Sequence, residues 1–150
     1  QVHAYDISTR HLALAREQAQ KRGVTNVEFV KIANVAALEG LVQADLVFSR
    51  IVLQHNPPPV QAAILESALS RLAPGGIALF QVVTHARDYV YSVEADLAAR
   101  GGMEMHVLPQ MTVFALLAAA GLVPVEVQED DAAGDDDRFR SHLFLARKAG

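Results

Sequence analysis

An α/β fold, built on a doubly wound and mostly parallel sheet that ends in a C-terminal antiparallel hairpin, is predicted by three features of this sequence. Short, continuously apolar segments such as Ala44-Asp45-Leu46-Val47-Phe48 and Ile77 to Val83 alternate with longer segments of helical periodicity. That is the pattern of parallel strands covered on both faces by crossover helices. Glycine and proline punctuate the change from one period to the other at Gly23, Pro57-Pro58-Pro59, Pro74-Gly75-Gly76 and Gly121. The last two apolar segments, Val123 to Val127 and His142 to Ala146, are joined by the acidic loop Glu129 to Asp137 with no helix between them. Strands connected in that way pair antiparallel.

The elements follow in order. Val2-His3-Ala4-Tyr5 is an extended apolar segment that begins without lead-in and closes at Asp6. Ser8 is placed to cap a helix from about Thr9 to Arg22, with Leu12, Ala15 and Ala19 on its apolar stripe and Gly23 as its stop. Val27 to Val30 is a second short strand, Val35 to Leu41 a weaker helical turn, and Ala44 to Phe48 a buried strand. The three prolines mark the entry of a helix, because proline fits the first turn and not the interior. Val60, Ile64, Leu65, Ala68, Leu69 and Leu72 continue it at helical spacing. Pro74-Gly75-Gly76 then turns the chain into the Ile77 to Val83 strand. A polar helix is expected over Ser92 to Ala99, a break at Gly101-Gly102, and a further helix over Thr112 to Ala120.

Composition limits the classes of function. The 150 residues suit one domain, and 51% apolar against 20% charged residues describes an ordered globular chain. The net charge is −4, with 13 basic and 17 acidic residues and no long basic run, which disfavours binding to nucleic acid by phosphate neutralisation. Cysteine is absent, so disulfides, thiolate metal sites and a cysteine nucleophile are excluded, and a reducing, cytoplasmic setting is expected. The apolar stretch Val113 to Val125 contains a Gly and a Pro and is too short to cross a bilayer, so no membrane partner is expected. The six histidines are dispersed, and Asp135-Asp136-Asp137 lacks the alternating ligands and glycine of a calcium loop, so no metal site is expected.

Ligands of open α/β sheets bind beyond the carboxyl ends of the strands, and four positions there carry polar side chains. Asp6 closes the first strand, where a carboxylate can accept hydrogen bonds from both hydroxyls of a ribose; it can equally begin the following turn or help Ser8 cap the helix. Asn34, after the second strand, can read an adenine edge through its amide or serve as an ordinary turn residue. Ser49-Arg50 and Gln54-His55-Asn56 follow the third strand, where His55 can act as a base near neutral pH or order the loop ahead of the prolines. Thr84, His85, Tyr89 and Tyr91 follow the fourth strand and can line an acceptor pocket or pack the fold.

Taken in order, four segments resemble the class I S-adenosylmethionine-dependent methyltransferases. They are Val2-His3-Ala4-Tyr5-Asp6-Ile7-Ser8, Asn26-Val27-Glu28-Phe29-Val30, Ala44 to His55, and Leu72-Ala73-Pro74-Gly75-Gly76-Ile77-Ala78-Leu79-Phe80, with Leu143 to Lys148 similar to the family's final strand. The resemblance implies a Rossmann-like fold and S-adenosylmethionine as cofactor. It makes Asp6 the acidic residue that binds the ribose and Ile7 the apolar neighbour that packs on adenine. It lays the backbone of Ser49 and Arg50 beside the cofactor's methionine part. Where the family usually presents an Asp to the adenine amino group, this sequence has Ala33-Asn34, and Asn34 takes that role only if its amide oxygen does the work. The family's first strand and Gly-x-Gly loop have no counterpart in these residues. The expectation is therefore a single domain incomplete at its N-terminus, with a central gap and unpaired strand edges that an upstream segment or another chain completes.

Methyl transfer from a sulfonium is an in-line displacement with an activated donor, so the protein chiefly aligns the reactants and excludes water. A base is needed only if the acceptor loses a proton. His55, His85 and His106 are candidates for that base, His55 and His106 foremost, with Glu94 and Tyr89 as lesser assistants. His85, Tyr89 and Gln110 are the candidates for contact with the acceptor, Gln110 and His106 lying in the Met103 to Gln110 segment where this family inserts acceptor-recognition elements. The function expected is methyl transfer to a small-molecule or glycan-type acceptor, with these 150 residues alone weak or inactive. A non-catalytic methyltransferase-like interaction or scaffold module is the alternative. A nicotinamide-dependent oxidoreductase, which would also place Asp6 on a ribose, is the lesser one.

Overall fold

The computed structural model describes residues 1–92, 94, 105–134 and 138–150. They form two compact units, Gln1–Gly40 and Leu41–Gly150.

The first unit is a parallel strand pair joined through a helix: β1 (Val2–Asp6), α1 (Thr9–Lys21) and β2 (Val27–Lys31). Ser8 caps α1 as its residue type predicts, its Oγ accepting the His11 N–H at 3.2 Å. Gly23, with φ of 67°, takes the left-handed conformation that ends the helix. Leu12 is the buried anchor of the helix. The Arg16 guanidinium donates to Phe29 O at 3.0 Å and lies 5.3 Å from the Phe29 ring centroid, tying α1 to β2 by charge and ring together. A short 3₁₀ helix, Val35–Gly40, closes the unit where a weak helical turn was expected.

The second unit is a four-stranded sheet in the order β3-β4-β6-β5, with β3 spanning Ala44–Ser49, β4 Leu72–Ala86, β5 Leu122–Asp130 and β6 Phe139–Lys148. β3 and β4 are parallel, as expected for strands joined through a helix, here α2 (Pro58–Ser70). The final hairpin is antiparallel, and β6 inserts between β4 and β5. The return strand thus lies centrally and β5 forms the edge, where Pro124 costs no ladder hydrogen bond and a register shift follows it.

One face of this sheet holds the core. Ala78, Phe80 and Val82 of β4 and Phe144 and Ala146 of β6 pack against Leu65 and Leu69 of α2 and against Val113 and Leu117 of α3 (Gln110–Ala119). Phe80 and Phe144 stack with centroids 5.5 Å apart, and Phe114 meets Phe144 edge-on at 5.9 Å.

Pro74-Gly75-Gly76, expected as a turn before the strand, is an excursion inside it. Ala44 faces Leu72, whereas Leu46 already faces Ile77, so the proline-glycine segment bulges out of the ladder. Gly75 there has φ of 76°. A Cβ on Gly76 would lie 2.9 Å from Ala73 O and 3.1 Å from Asp45 O.

The Ala44 to Phe48 segment is a strand but is not buried throughout, since Leu46 is 57% and Phe48 63% exposed. The register gives the reason: Leu46 and Phe48 pair with Ile77 and Leu79 on the face of the sheet opposite the core, whereas Val47 pairs with Ala78 and packs on it. Among the described residues β1 pairs with β2 and β3 with β4, each on one side. Most of the helix expected over Ser92 to Ala99, the Gly101-Gly102 break, Met103-Glu104 and Asp135 to Asp137 lie outside the described residues. Among the described residues no helix is long and apolar enough to cross a membrane.

Candidate active site

In the first unit the parallel register sets Asp6 opposite Lys31, so the carboxyl ends of β1 and β2 lie together. The Asp6 side chain is partly exposed, with Oδ1 accepting the Ser8 N–H at 2.6 Å and Oδ2 lying 3.6 Å from His11 Nδ1. One oxygen thus orders the turn, as the turn-forming reading expects, and the other lies beside His11 in the first turn of α1. Ile7, next in the chain, is 72% exposed, an apolar surface beside a carboxylate. Asn34 sits at the carboxyl end of β2, where its Oδ1 accepts the Ala37 N–H at 3.1 Å and caps the 3₁₀ helix. The oxygen expected to read adenine is thus already occupied by the backbone, with one lone pair left.

In the second unit the chain leaves β3 at Ser49 and turns sharply. Arg50 is exposed and its guanidinium lies 3.7 Å from the exposed Asp131 carboxylate, a weak surface pair. Ile51 has φ of 56°, a left-handed conformation that β-branched residues avoid. Its N–H donates to Gln81 Oε1 at 2.9 Å. Gln81 in turn donates through Nε2 to Gln54 Oε1 at 2.8 Å and to Ser141 Oγ at 2.5 Å. Gln54 Nε2 is 3.6 Å from Met105 Sδ and 3.5 Å from His55 Nε2, while His55 Nδ1 is buried without a partner among the described residues.

His106 joins the same group from a distant part of the sequence. Its N–H donates to Gln54 O at 2.8 Å, and its carbonyl accepts from Gln61 Nε2 at 3.4 Å. Its side chain is buried, so the backbone here braces the His55 loop. Leu108 N–H donates to Val83 O at 2.9 Å and anchors the segment on β4.

Beyond β3's end, β4 runs on to a register shift between Val83 and His85. At that bulge Thr84 is buried, with Oγ1 2.8 Å from His142 Nδ1, whereas His85 is exposed. Tyr89 packs against the cluster of Val83, Ala86, Val107 and Ala133. Gln110 is the partly buried first residue of α3, behind Pro109. Glu94 is exposed and accepts a hydrogen bond from Ser92 Oγ at 3.3 Å.

Gln54 thus meets His55 through its side chain and the His106 N–H through its carbonyl, Gln81 holds the Ile51 N–H two residues after Ser49, and His85 is exposed. Gln81, Gln61 and Ser141 escaped the sequence reading. The available signal was Gln81 itself, the one polar residue in the run Ile77 to Val83. Among the described residues no group of three or more His, Asp or Glu side chains could hold a metal ion.

Residues 1–76 match the family described as methyltransferase domain. Comparison with curated proteins gives no match. Among solved structures, magnesium protoporphyrin IX methyltransferase from Synechocystis PCC 6803 with bound SAH is similar at a TM-score of 0.71 and 15% identity. The similarity covers 99% of this chain, which spans 64% of that protein's length. A SAM-dependent methyltransferase from Methanosarcina mazei gives 0.70 at 15% identity, over 99% of this chain and 82% of that one. The cyclase SpnF gives 0.70 at 17% identity, over 99% and 67%. At such identities the likeness is one of fold, the α/β arrangement expected from the sequence. With its first half matched to that description and the strand order above, the chain belongs to the methyltransferase-domain family.

Proposed function

We propose that this chain binds S-adenosylmethionine and serves methyl transfer to a small-molecule or glycan-type acceptor. The observation that carries the reading is the Asp6-Ile7 corner, a carboxylate with one oxygen fixed by Ser8 N–H beside an isoleucine that is 72% exposed. Adenosine needs that chemistry, an acceptor for ribose hydroxyls and an apolar surface for the base. Asn34 offers its remaining lone pair and its amide hydrogens to the adenine edge. In the second unit the backbone of Ser49 and Arg50 is the proposed partner of the methionine part.

When bound, the cofactor supplies a methyl group already activated on sulfur. The residues of this chain bind, orient and exclude water. His55, in the short 3₁₀ turn Leu53–His55 that follows β3, is the proposed base for an acceptor that must lose a proton. His106 supports it as a second catalytic candidate through the same loop. His85, Tyr89 and Gln110 are proposed to contact the acceptor. A cytoplasmic setting, compatible with the absence of cysteine, belongs to the same proposal.

A second reading, a methyltransferase-like module without catalysis, is favoured by one observation, the use of Asn34 Oδ1 as a helix cap. Calorimetric titration of the intact protein with S-adenosylhomocysteine separates the two. Binding that is weakened by Asp6→Ala supports the enzyme, and the absence of binding supports the module.

A further inference from the structure

We infer that Gln81 is a positioning residue, which sets the left-handed Ile51 turn and through it the Ser49-Arg50 backbone; the consequence for the cofactor rests on the function proposed above. Gln81 lies on β4 between Phe80 and Val82, and all three side chains are fully buried. A sheet interior has no need of an amide at that point, and burying one is unfavourable unless its groups are paired. Here both amide hydrogens and one oxygen lone pair are used: Nε2 donates to Gln54 and Ser141, and Oε1 accepts from Ile51 N–H.

The Ile51 bond decides what the amide is for. β3 ends at Ser49, so Ile51 has left the sheet ladder and its N–H depends on a side-chain acceptor. Its φ of 56° is unfavourable for isoleucine, and its side chain is 48% exposed, so packing contributes little to holding it there. Backbone conformations of this kind persist only when the surroundings over-determine them. The acceptor that does so is Gln81 Oε1. Because a backbone N–H can only donate, it also fixes the orientation of the Gln81 amide. Nε2 must then face Gln54, whose Oε1 faces back and whose own Nε2 is left toward His55 and Met105. One amide on β4 therefore sets both the turn after β3 and the Gln54 side chain at its far end.

Amide hydrogen exchange on the unliganded protein tests this directly, with S-adenosylhomocysteine affinity as a separate reading. Gln81→Met, close to isosteric, is expected to speed exchange at residues 50–52 at least about tenfold while β4 and β6 around Phe80 and Phe144 keep their protection. Ile51→Asn tolerates the left-handed conformation, so Q81M is expected to have a smaller effect in the I51N background than in the parent. If the parent binds S-adenosylhomocysteine, Q81M weakens that binding about tenfold. Exchange at residues 50–52 unchanged by Q81M, or quickened equally throughout β4 and β6, overturns the assignment. Should Q81M not fold, I51N alone decides: raised protection at residues 50–52 supports the strained turn, and unchanged protection overturns it. A parent that binds no cofactor refutes the proposed function and leaves the exchange result to judge Gln81.

Discussion

Ser8 N–H donates to the Asp6 carboxylate at 2.6 Å, and Ser8 Oγ accepts from His11 N–H at 3.2 Å, so the residue proposed for ribose and the cap of α1 form one structure. Asp6→Asn keeps an Oδ1 acceptor for Ser8 and removes the charge. It is expected to leave stability within about 0.5 kcal/mol, as a near-isosteric surface change does, and to lower affinity for S-adenosylhomocysteine. Asp6→Ala removes the acceptor as well and should cost about 1 kcal/mol of stability. Urea unfolding and calorimetric titration read the two effects separately. Equal affinities for the parent and D6N would refute the role of the carboxylate.

Asn34 offers the complementary test. Asp caps helices as well as Asn does, so Asn34→Asp should preserve the bond from Ala37 N–H, now 3.1 Å from Oδ1, while adding the acidic acceptor the family usually presents to adenine. Tighter cofactor binding with unchanged unfolding is the expected outcome. Asn34→Ala should instead lose about 1 kcal/mol of stability through the cap. An N34D protein that binds the cofactor no more tightly than the parent shows that this side chain does not face adenine.

The Pro74-Gly75-Gly76 excursion predicts a sharp difference between glycines. At Gly76 an added Cβ meets two carbonyl oxygens, Ala73 O at 2.9 Å and Asp45 O at 3.1 Å, and neither is a flexible side chain. Gly76→Ala should therefore force β3 and β4 apart locally and cost about 1–3 kcal/mol, the usual range for overpacking. Gly40 has nothing within 4 Å of an added Cβ and no positive φ, and Gly40→Ala should be nearly neutral. Urea midpoints of the two variants check the contrast.

These cases show which parts of the fold are legible in the sequence. The Asp6-Ser8 corner, the proline entry of α2 and the antiparallel final hairpin are local, because capping, proline geometry and a short connection act over a few residues. The insertion of β6 between β4 and β5 is not, since no residue of His142 to Ala146 encodes which strand lies on either side. Exposure of Leu46 and Phe48 follows from the face of β3 that turns away from the core, which depends on the same long-range order. The Gln81 network spans Ile51 to Ser141, and only the polarity of one residue in an apolar run marks it. His55 and His106 are likewise joined through Gln54 and Gln61, contacts that no spacing announces.

The core makes its own prediction. Phe80 is fully buried and stacked on Phe144 at 5.5 Å, with Leu65, Leu69 and Val113 in the same cluster. Phe80→Ala should cost about 3–5 kcal/mol, enough to unfold a marginal domain, whereas Phe80→Leu should cost substantially less because most of the volume is kept. Thermal unfolding of the two variants gives the ranking.

His55 can be tested apart from all of these. Its Nε2 is 3.5 Å from Gln54 Nε2 and its Nδ1 is buried and unpartnered among the described residues, so replacing the ring breaks no strong hydrogen bond of the fold. His55→Phe is therefore expected to fold and to bind S-adenosylhomocysteine as the parent does. If His55 takes the acceptor's proton, kcat falls about 100-fold or more, the usual contribution of a positioned base, with little change in cofactor affinity. Exchange at residues 50–52 should stay at the parent's rate, because Gln81 and not His55 holds that turn. A full kcat in H55F would remove His55 as the base, and with Gln54 Nε2 then facing an apolar ring it would leave the Gln81 assignment untouched.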